Sequence, residues 1–119
     1  MAKITRSDGT RREVPDEDVW GPPPTEREIT EQRLEDAKTE CRKRIYAVVD
    51  QIAQVNLAAD AAAERMSPTD MLTYRNGLEW VEGMRANCTR LAVQHNADIA
   101  ADDTWPAVPD GVAELAERY

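Results

Sequence analysis

The sequence predicts an all-α protein built on a long antiparallel two-helix hairpin, coiled-coil-like in its spacing. Apolar or small residues recur at steps of three and four over residues 34–66, which keeps one seam of a helix facing a partner helix. A second series with the same steps covers residues 71–91. Between them, Ser67-Pro68-Thr69-Asp70 supplies a capping Ser, a Pro suited to the first helical position and a capping-box acid. Because this connection is so short, the two helices are expected to be antiparallel neighbours.

The predicted core of the hairpin is the set of seam residues that would face the partner helix. These residues are Cys41, Ile45, Val48, Ile52, Val55, Leu78, Val81, Met84, Cys88 and Leu91. Two such helices bury only one narrow stripe each, so a lone hairpin would have a thin core. Two interpretations stay open: a marginal domain supported by its own tails, or a subunit that completes its core against copies of itself or a partner. We expect the second, a homo-oligomer or partner-bound subunit.

Residues 1–24 are predicted to form an N-terminal arm and a Pro-rich linker. Asp8-Gly9 lies between two short β-tolerant runs and predicts a β-hairpin over residues 1–14, with Ile4 and Val14 as its apolar residues. Because an isolated two-stranded hairpin is marginal in water, it is either a frayed arm or a strand pair added to another protein's sheet. The prolines of residues 21–24 predict an extended, stiff approach to the first helix.

The helical hairpin is predicted over residues 25–95. Thr25-Glu26-Arg27-Glu28 is a capping box, so the first helix begins there and is expected to continue to Met66. The second helix is expected to end at His95, which can complement the helix dipole.

Residues 96–119 are predicted to be an acidic tail with a Trp-Pro anchor and a short helix. This stretch has one basic and six acidic side chains. Trp105-Pro106-Ala107-Val108-Pro109 is a stiff segment, Asp110-Gly111 is a turn, and residues 112–119 have the spacing of an amphipathic helix.

Protein-binding residues are expected mainly where aromatic side chains stand beside extended backbone. The candidates are Ile4, Val14, Trp20, Tyr74, Trp80, Trp105, Pro106 and Tyr119. Trp20 and Trp105 are predicted to anchor docking arms, because neighbouring prolines reduce the entropy lost on binding and Trp is enriched in hot spots. The competing hypothesis is that both rings cover the open ends of the hairpin.

The composition argues against most kinds of chemistry. The chain has one His, no glycine-rich phosphate loop, and a net charge of −8 with no basic face. We therefore expect no enzyme, cofactor, metal site or small-molecule substrate, and no nucleic-acid partner. No apolar run is long enough to predict a membrane span, and Cys41 and Cys88 are expected to be buried free thiols.

One stretch resembles a known family. Residues 71–82, with Tyr74-Arg75 followed by Leu78, resemble the tyrosine-arginine-x-x-leucine helix of the small tail assembly chaperone and tail-fibre assembly proteins of tailed bacteriophages. In that family a charged helix precedes this motif and a tryptophan-proline-x-x-proline segment follows, which residues 42–50 and 105–109 match here. The family tends to have Asp-Trp at the end of its first helix, whereas Asp50 is followed here by Gln51.

The resemblance implies a non-enzymatic phage tail protein, located in the virion, that binds tail-fibre or baseplate proteins. It leaves a transient assembly chaperone in the host cytoplasm as the alternative. An unrelated bacterial helical adaptor is a third possibility.

Overall fold

The computed structural model describes residues 22–119, which form four α-helices and one 3₁₀ turn, with no strand in that range. The helices are α1 (Glu26–Val48), α2 (Gln51–Ala62), α3 (Pro68–Val93) and α4 (Val112–Glu117), and the 3₁₀ turn is Asp102–Thr104. The antiparallel hairpin is confirmed, because α1 packs along α3 with its beginning near the end of α3. The predicted β-hairpin arm of residues 1–14 lies outside the described residues.

The helix starts follow the sequence signals. Thr25 accepts a hydrogen bond from the Glu28 backbone N–H at 3.1 Å, and the Glu28 carboxylate accepts one from the Thr25 N–H at 2.8 Å. At α3, the Ser67 hydroxyl accepts from the Asp70 N–H at 3.1 Å, and Pro68 is the first helical residue. These caps satisfy N–H groups that have no partner within the helix.

The first predicted helix is not continuous, which corrects the sequence-based expectation. It breaks at Val49 and Asp50: Val49 adopts extended angles (φ −138°, ψ 103°), and the Asp50 carboxylate accepts a hydrogen bond from the Ala53 N–H at 2.8 Å. Asp50 is therefore the N-cap of a separate helix, α2.

The break changes which face of α2 is buried. Residues spaced by four, namely Val49, Ala53 and Leu57, continue the buried row of α1. In an unbroken helix such a row drifts by about 40° per step, so the break restores its inward direction. The predicted core positions Ile52 and Val55 are wrong for this chain, because their side chains are 72% and 63% exposed.

The rest of the predicted seam is mostly correct. Leu78 is the other exception, since it is 48% exposed on α3. Val48 and Val81 are partly buried against the core. The remaining members are buried, namely Cys41, Ile45, Met84, Cys88 and Leu91.

The C-terminal segment, residues 96–119, folds back antiparallel to α3 and completes the core. Its contacts with α3 run in order: Asn87 Nδ2 donates to the Thr104 carbonyl at 2.8 Å, and Val112 packs against Gly77 further towards the start of the helix. Trp105, Leu115 and Ala116 are buried in the same core as the hairpin seam. This arrangement supports the interpretation of a hairpin stabilised by its own tail.

The end of α3 is secured by a side chain of α1 rather than by His95. The Arg33 guanidinium donates hydrogen bonds to the carbonyls of Leu91, Gln94 and Ala97 at 2.7–3.1 Å. Leu91 lies in the last turn of α3, where carbonyls have no partner within the helix, and a cation is favourable at a helix C-terminus. His95 instead makes a 2.7 Å hydrogen bond with the Thr30 hydroxyl.

Candidate protein-binding groove

An open apolar groove runs along the seam of the hairpin and consists of two adjoining cavities. One, of about 510 Å³, lies between α1 and α3. The other, of about 360 Å³, lies between α2 and α3, and Gln54 and Arg85 line both. We call the two together the hairpin groove.

The part of the groove between α1 and α3 has a neutral sulfur-containing floor. Cys41 and Cys88 face each other there, each about 5% exposed or less, and the Cys88 thiol donates to the Ala37 carbonyl at 3.6 Å. Burial, with Cys88 next in importance, raises the pKa of the Cys41 thiol to about 11. Both causes disfavour the thiolate, so Cys41 carries no charge at neutral pH.

The part between α2 and α3 exists because α4 holds these helices apart. α2 has scarcely any direct contact with α3, whereas α4 packs against both. Leu115 of α4 therefore forms part of the floor, and Leu57 of α2 forms another part. The exposed Leu78 and the partly buried Tyr74 and Val81 line the α3 side.

The rim of the groove is basic although the protein is acidic overall. Lys38 and Arg42 line the groove from α1, and Arg85 lines it from α3. Glu82 is the one acidic lining residue. Among residues 22–119 no carboxylate pairs with Arg42 or Arg85, while Lys38 lies 3.7 Å from Glu35 in an exposed pair. The net charge of −8 makes this local excess of cations informative.

Trp105 and Trp80, predicted to contact a partner, are occupied by the chain's own core. Trp105 is 7% exposed, its indole N–H donates to the Ile99 carbonyl at 2.8 Å, and the Arg44 guanidinium lies 5.7 Å from its ring centroid. Trp80 is 5% exposed and donates to the carbonyl of the exposed Pro106 at 3.2 Å. For Trp105 this placement favours the hypothesis of a ring that covers the hairpin.

The other predicted binding residues are distributed differently. Tyr74 lines the groove, whereas Tyr119 fastens α4 by donating a hydrogen bond to the Asp60 carboxylate at 2.7 Å. That hydrogen bond raises the pKa of Tyr119 and lowers that of Asp60. Ile4, Val14 and Trp20 lie outside the described residues.

Sequence reasoning missed the basic rim. Arg42 precedes the seam residue Ile45 by three positions, and Arg85 precedes the seam residue Cys88 by three positions. Both positions are therefore next to the seam on the helix surface. Basic residues at positions that flank a predicted seam could therefore have indicated the basic rim from the sequence.

The described residues contain no group of three His, Cys, Asp or Glu side chains placed to hold a metal ion. None of the helices between residues 22 and 119 combines the length and apolar character that crossing a bilayer requires. The comparisons with known proteins found no match: no family model, no curated protein and no solved structure resembles the chain significantly.

Proposed function

We propose that this protein is a non-enzymatic binding protein that holds an amphipathic helix of a partner protein in the hairpin groove. The observation that carries the proposal is the groove itself, an apolar channel between antiparallel helices with cations on both of its sides.

The shape of the groove suits a helix. Two antiparallel helices leave a concave surface on each side of their seam, and a third element buries that surface. The chain covers part of this surface with its own C-terminal segment, whose Leu115 also belongs to the groove floor. Leu34, Tyr46 and Leu78 remain accessible around that floor. An amphipathic helix placed there would bury them, which is the usual mode of helix-in-groove recognition.

The charges of the rim define the flanks of the partner. Lys38 and Arg42 lie on one side of the groove and Arg85 on the other. A helix with an apolar stripe bordered by Glu or Asp would place acids against both sides, and like charges would be rejected. The preferred occupant is therefore an acidic amphipathic helix.

The resemblance to phage tail proteins supports a particular setting for this activity. Tyr74 and Leu78 of the resembling motif both line the groove. We place the protein in the tail of a virion, bound to a fibre or baseplate protein. The second candidate, a transient assembly chaperone in the host cytoplasm, would use the same groove.

The groove is tested with two synthetic peptides that share one Leu and Ile stripe and carry either Glu or Lys along both edges. At about 18 residues each would form a helix about 27 Å long. Titration calorimetry is expected to detect binding of the Glu peptide, with Leu78→Glu weakening it at least about tenfold. Leu72→Glu, at a 59% exposed position of α3 that does not line the groove, is the matched control. Equal affinity for the Lys peptide, or equal effects of the two variants, would contradict the proposal.

The setting is tested by mass spectrometry of purified virions and of infected-cell lysate. A tail component is expected in both samples in stoichiometric amounts. Presence in the lysate alone would identify the chaperone instead, and absence from infected cells would contradict both assignments.

A further inference from the structure

We infer that the outer face of α2 binds a second copy of this chain, with the two α2 helices antiparallel. The face consists of Ile52, Val55, Ala59 and Ala62, which we call the α2 stripe. It is separate from the hairpin groove, none of whose lining residues it includes.

The first observation is that α2 is apolar on two faces but buried on one. Its inner face packs on the core through Ala53 and Leu57. The outer face leaves Ile52 72% exposed and Val55 63% exposed. A helix that is apolar on opposite sides is normally covered on both. Single exposed apolar residues are common, but a row of them along one helix marks an interaction site.

The second observation is the spacing of the stripe. Its members follow each other at steps of three, four and three, which is the spacing of a coiled-coil seam. The buried row has steps of four instead, from Val49 at the end of α1 to Ala53 and Leu57 on the inner face of α2. Because of the break at Asp50, one face of α2 packs on the core. The α2 stripe, which has the coiled-coil spacing, has no partner within the described residues.

The third observation is that the stripe complements itself in the antiparallel direction. In an antiparallel pair whose two-fold axis is level with residue 57 along the helix, Ile52 lies opposite Ala62 of the second copy. Val55 then lies opposite Ala59 of the second copy. A large side chain then meets a small one at each level, which fills space evenly. A parallel pair would set Ile52 against itself and leave a gap between the two Ala62 residues. Isologous contacts of this kind close as a dimer.

Charge permits a second copy at the α2 stripe although the protein is acidic overall. Each chain carries a net charge of −8, so most surfaces of two copies repel. The only charged residue of α2 is Asp60, and its carboxylate is engaged by Tyr119 and Arg65 within the chain. The helix is thus a nearly uncharged surface on an acidic protein. Having no acids beside the stripe, it does not match the basic rim of the hairpin groove.

The size of the stripe sets the strength of the dimer. A helix of 12 residues is about 18 Å long, and a single pair of them buries less than the roughly 1,200 Å² of a stable specific interface. We therefore expect a reversible dimer that dissociates on dilution through the micromolar range.

Sedimentation equilibrium of the full chain, from about 1 µM to 1 mM, tests the dimer. Ile52→Glu and Val55→Glu are each expected to raise the dissociation constant at least about tenfold while the helical circular dichroism stays unchanged, because both side chains are exposed. Leu72→Glu, which adds the same charge at an exposed position of α3, is expected to leave association unaltered. A wild-type chain that stays monomeric throughout, or a control that weakens association equally, would overturn the inference.

Mixing variants tests the direction of the helices. Ile52→Glu mixed with Ala62→Lys is expected to restore association, since these positions oppose each other only in the antiparallel pair. Ile52→Glu mixed with Ile52→Lys is expected to stay weak. The reverse result would show a parallel pair and overturn the antiparallel arrangement. Leu78→Glu in the hairpin groove is expected to leave the dimer intact. The experiments therefore test helix binding in the groove and dimerisation through the α2 stripe independently of each other.

Discussion

At the scale of single residues, the two cysteines show how burial sets chemistry. Cys41 and Cys88 lie on facing helices and are both free. Folding raises the pKa of Cys41 from 9.0 to about 11, mainly through burial. The folded state therefore holds this proton more tightly than the unfolded state. Its contribution to stability is full below about pH 9 and is lost as the pH rises through about 11.

The raised pKa predicts slow thiol modification. At pH 8 a shift of two pKa units lowers the thiolate fraction about a hundredfold, and restricted access slows the reaction further. We expect Cys41 to react with a disulfide reagent at least about a hundred times more slowly in the native protein than in urea. In the control Thr89→Cys, at an exposed position of α3, the new thiol should react at an ordinary rate. A fast native thiol in the unsubstituted protein would show that the seam opens readily.

At the scale of the elements, the break between α1 and α2 decides which face of the first helical segment is buried. Asp50 stabilises the break through its 2.8 Å hydrogen bond to the Ala53 N–H, and the Gln54 side chain donates to the Val49 carbonyl at 3.0 Å. Together these bonds satisfy backbone groups that a continuous helix would pair internally. The break is therefore a specified feature of the sequence.

Removing the cap should destabilise the fold. Asp50→Ala is expected to lower the free energy of unfolding by about 1 kcal/mol, measured by urea denaturation, because Ala cannot accept the Ala53 hydrogen bond. Asp50→Asn keeps an acceptor and should cost a few tenths of a kcal/mol at most. If both variants lose stability equally, the negative charge rather than the cap is responsible.

At the scale of the whole molecule, the C-terminal segment completes the core of the hairpin, a role that the sequence analysis expected a second copy or a partner to have. It brings Trp105, Leu115 and Ala116 into the core of the hairpin. Hydrogen bonds from α1 also hold the segment in place, since Arg44 donates to the Asp102 carboxylate at 2.9 Å and to the Ala100 carbonyl at 2.9 Å. The proposed partners therefore contact a fold that already has a core.

Trp105→Ala tests this role directly. Loss of a buried Trp is expected to reduce the free energy of unfolding by about 3–5 kcal/mol, since a cavity forms and the Ile99 carbonyl loses its donor. Val108→Ala, in the same segment but 39% exposed, should cost within about 0.5 kcal/mol. The measurement is thermal or urea unfolding of the isolated protein. An unchanged stability in Trp105→Ala, with partner binding lost, would restore the docking-anchor hypothesis.

Much of the local structure could be predicted from the sequence. The caps at Thr25 and Ser67, the turn at Gly111 and the start of the last helix at Val112 all appear where the sequence places them. Gly111 has a φ of 85°, which glycine adopts without strain. These features depend on residues within about four positions of one another, so a single sequence contains the information they need.

The sequence also determined that two helices form an antiparallel pair, since the Ser67-Pro68 start and the seam spacing require it. Only the tertiary structure decided which faces are covered. Ile52 and Val55 have the spacing of core residues but are exposed, while Trp105 looks like an exposed anchor but is buried. The burial of Trp105 depends on contacts between residues far apart in the chain, which form when the C-terminal segment returns along α3. The exposure of Ile52 and Val55 follows from the break at Asp50, whose hydrogen bonds are local but whose effect on the buried face appears only when α2 packs on the core. Periodicity shows that a face is apolar, whereas its partner is selected by the packing of the whole chain.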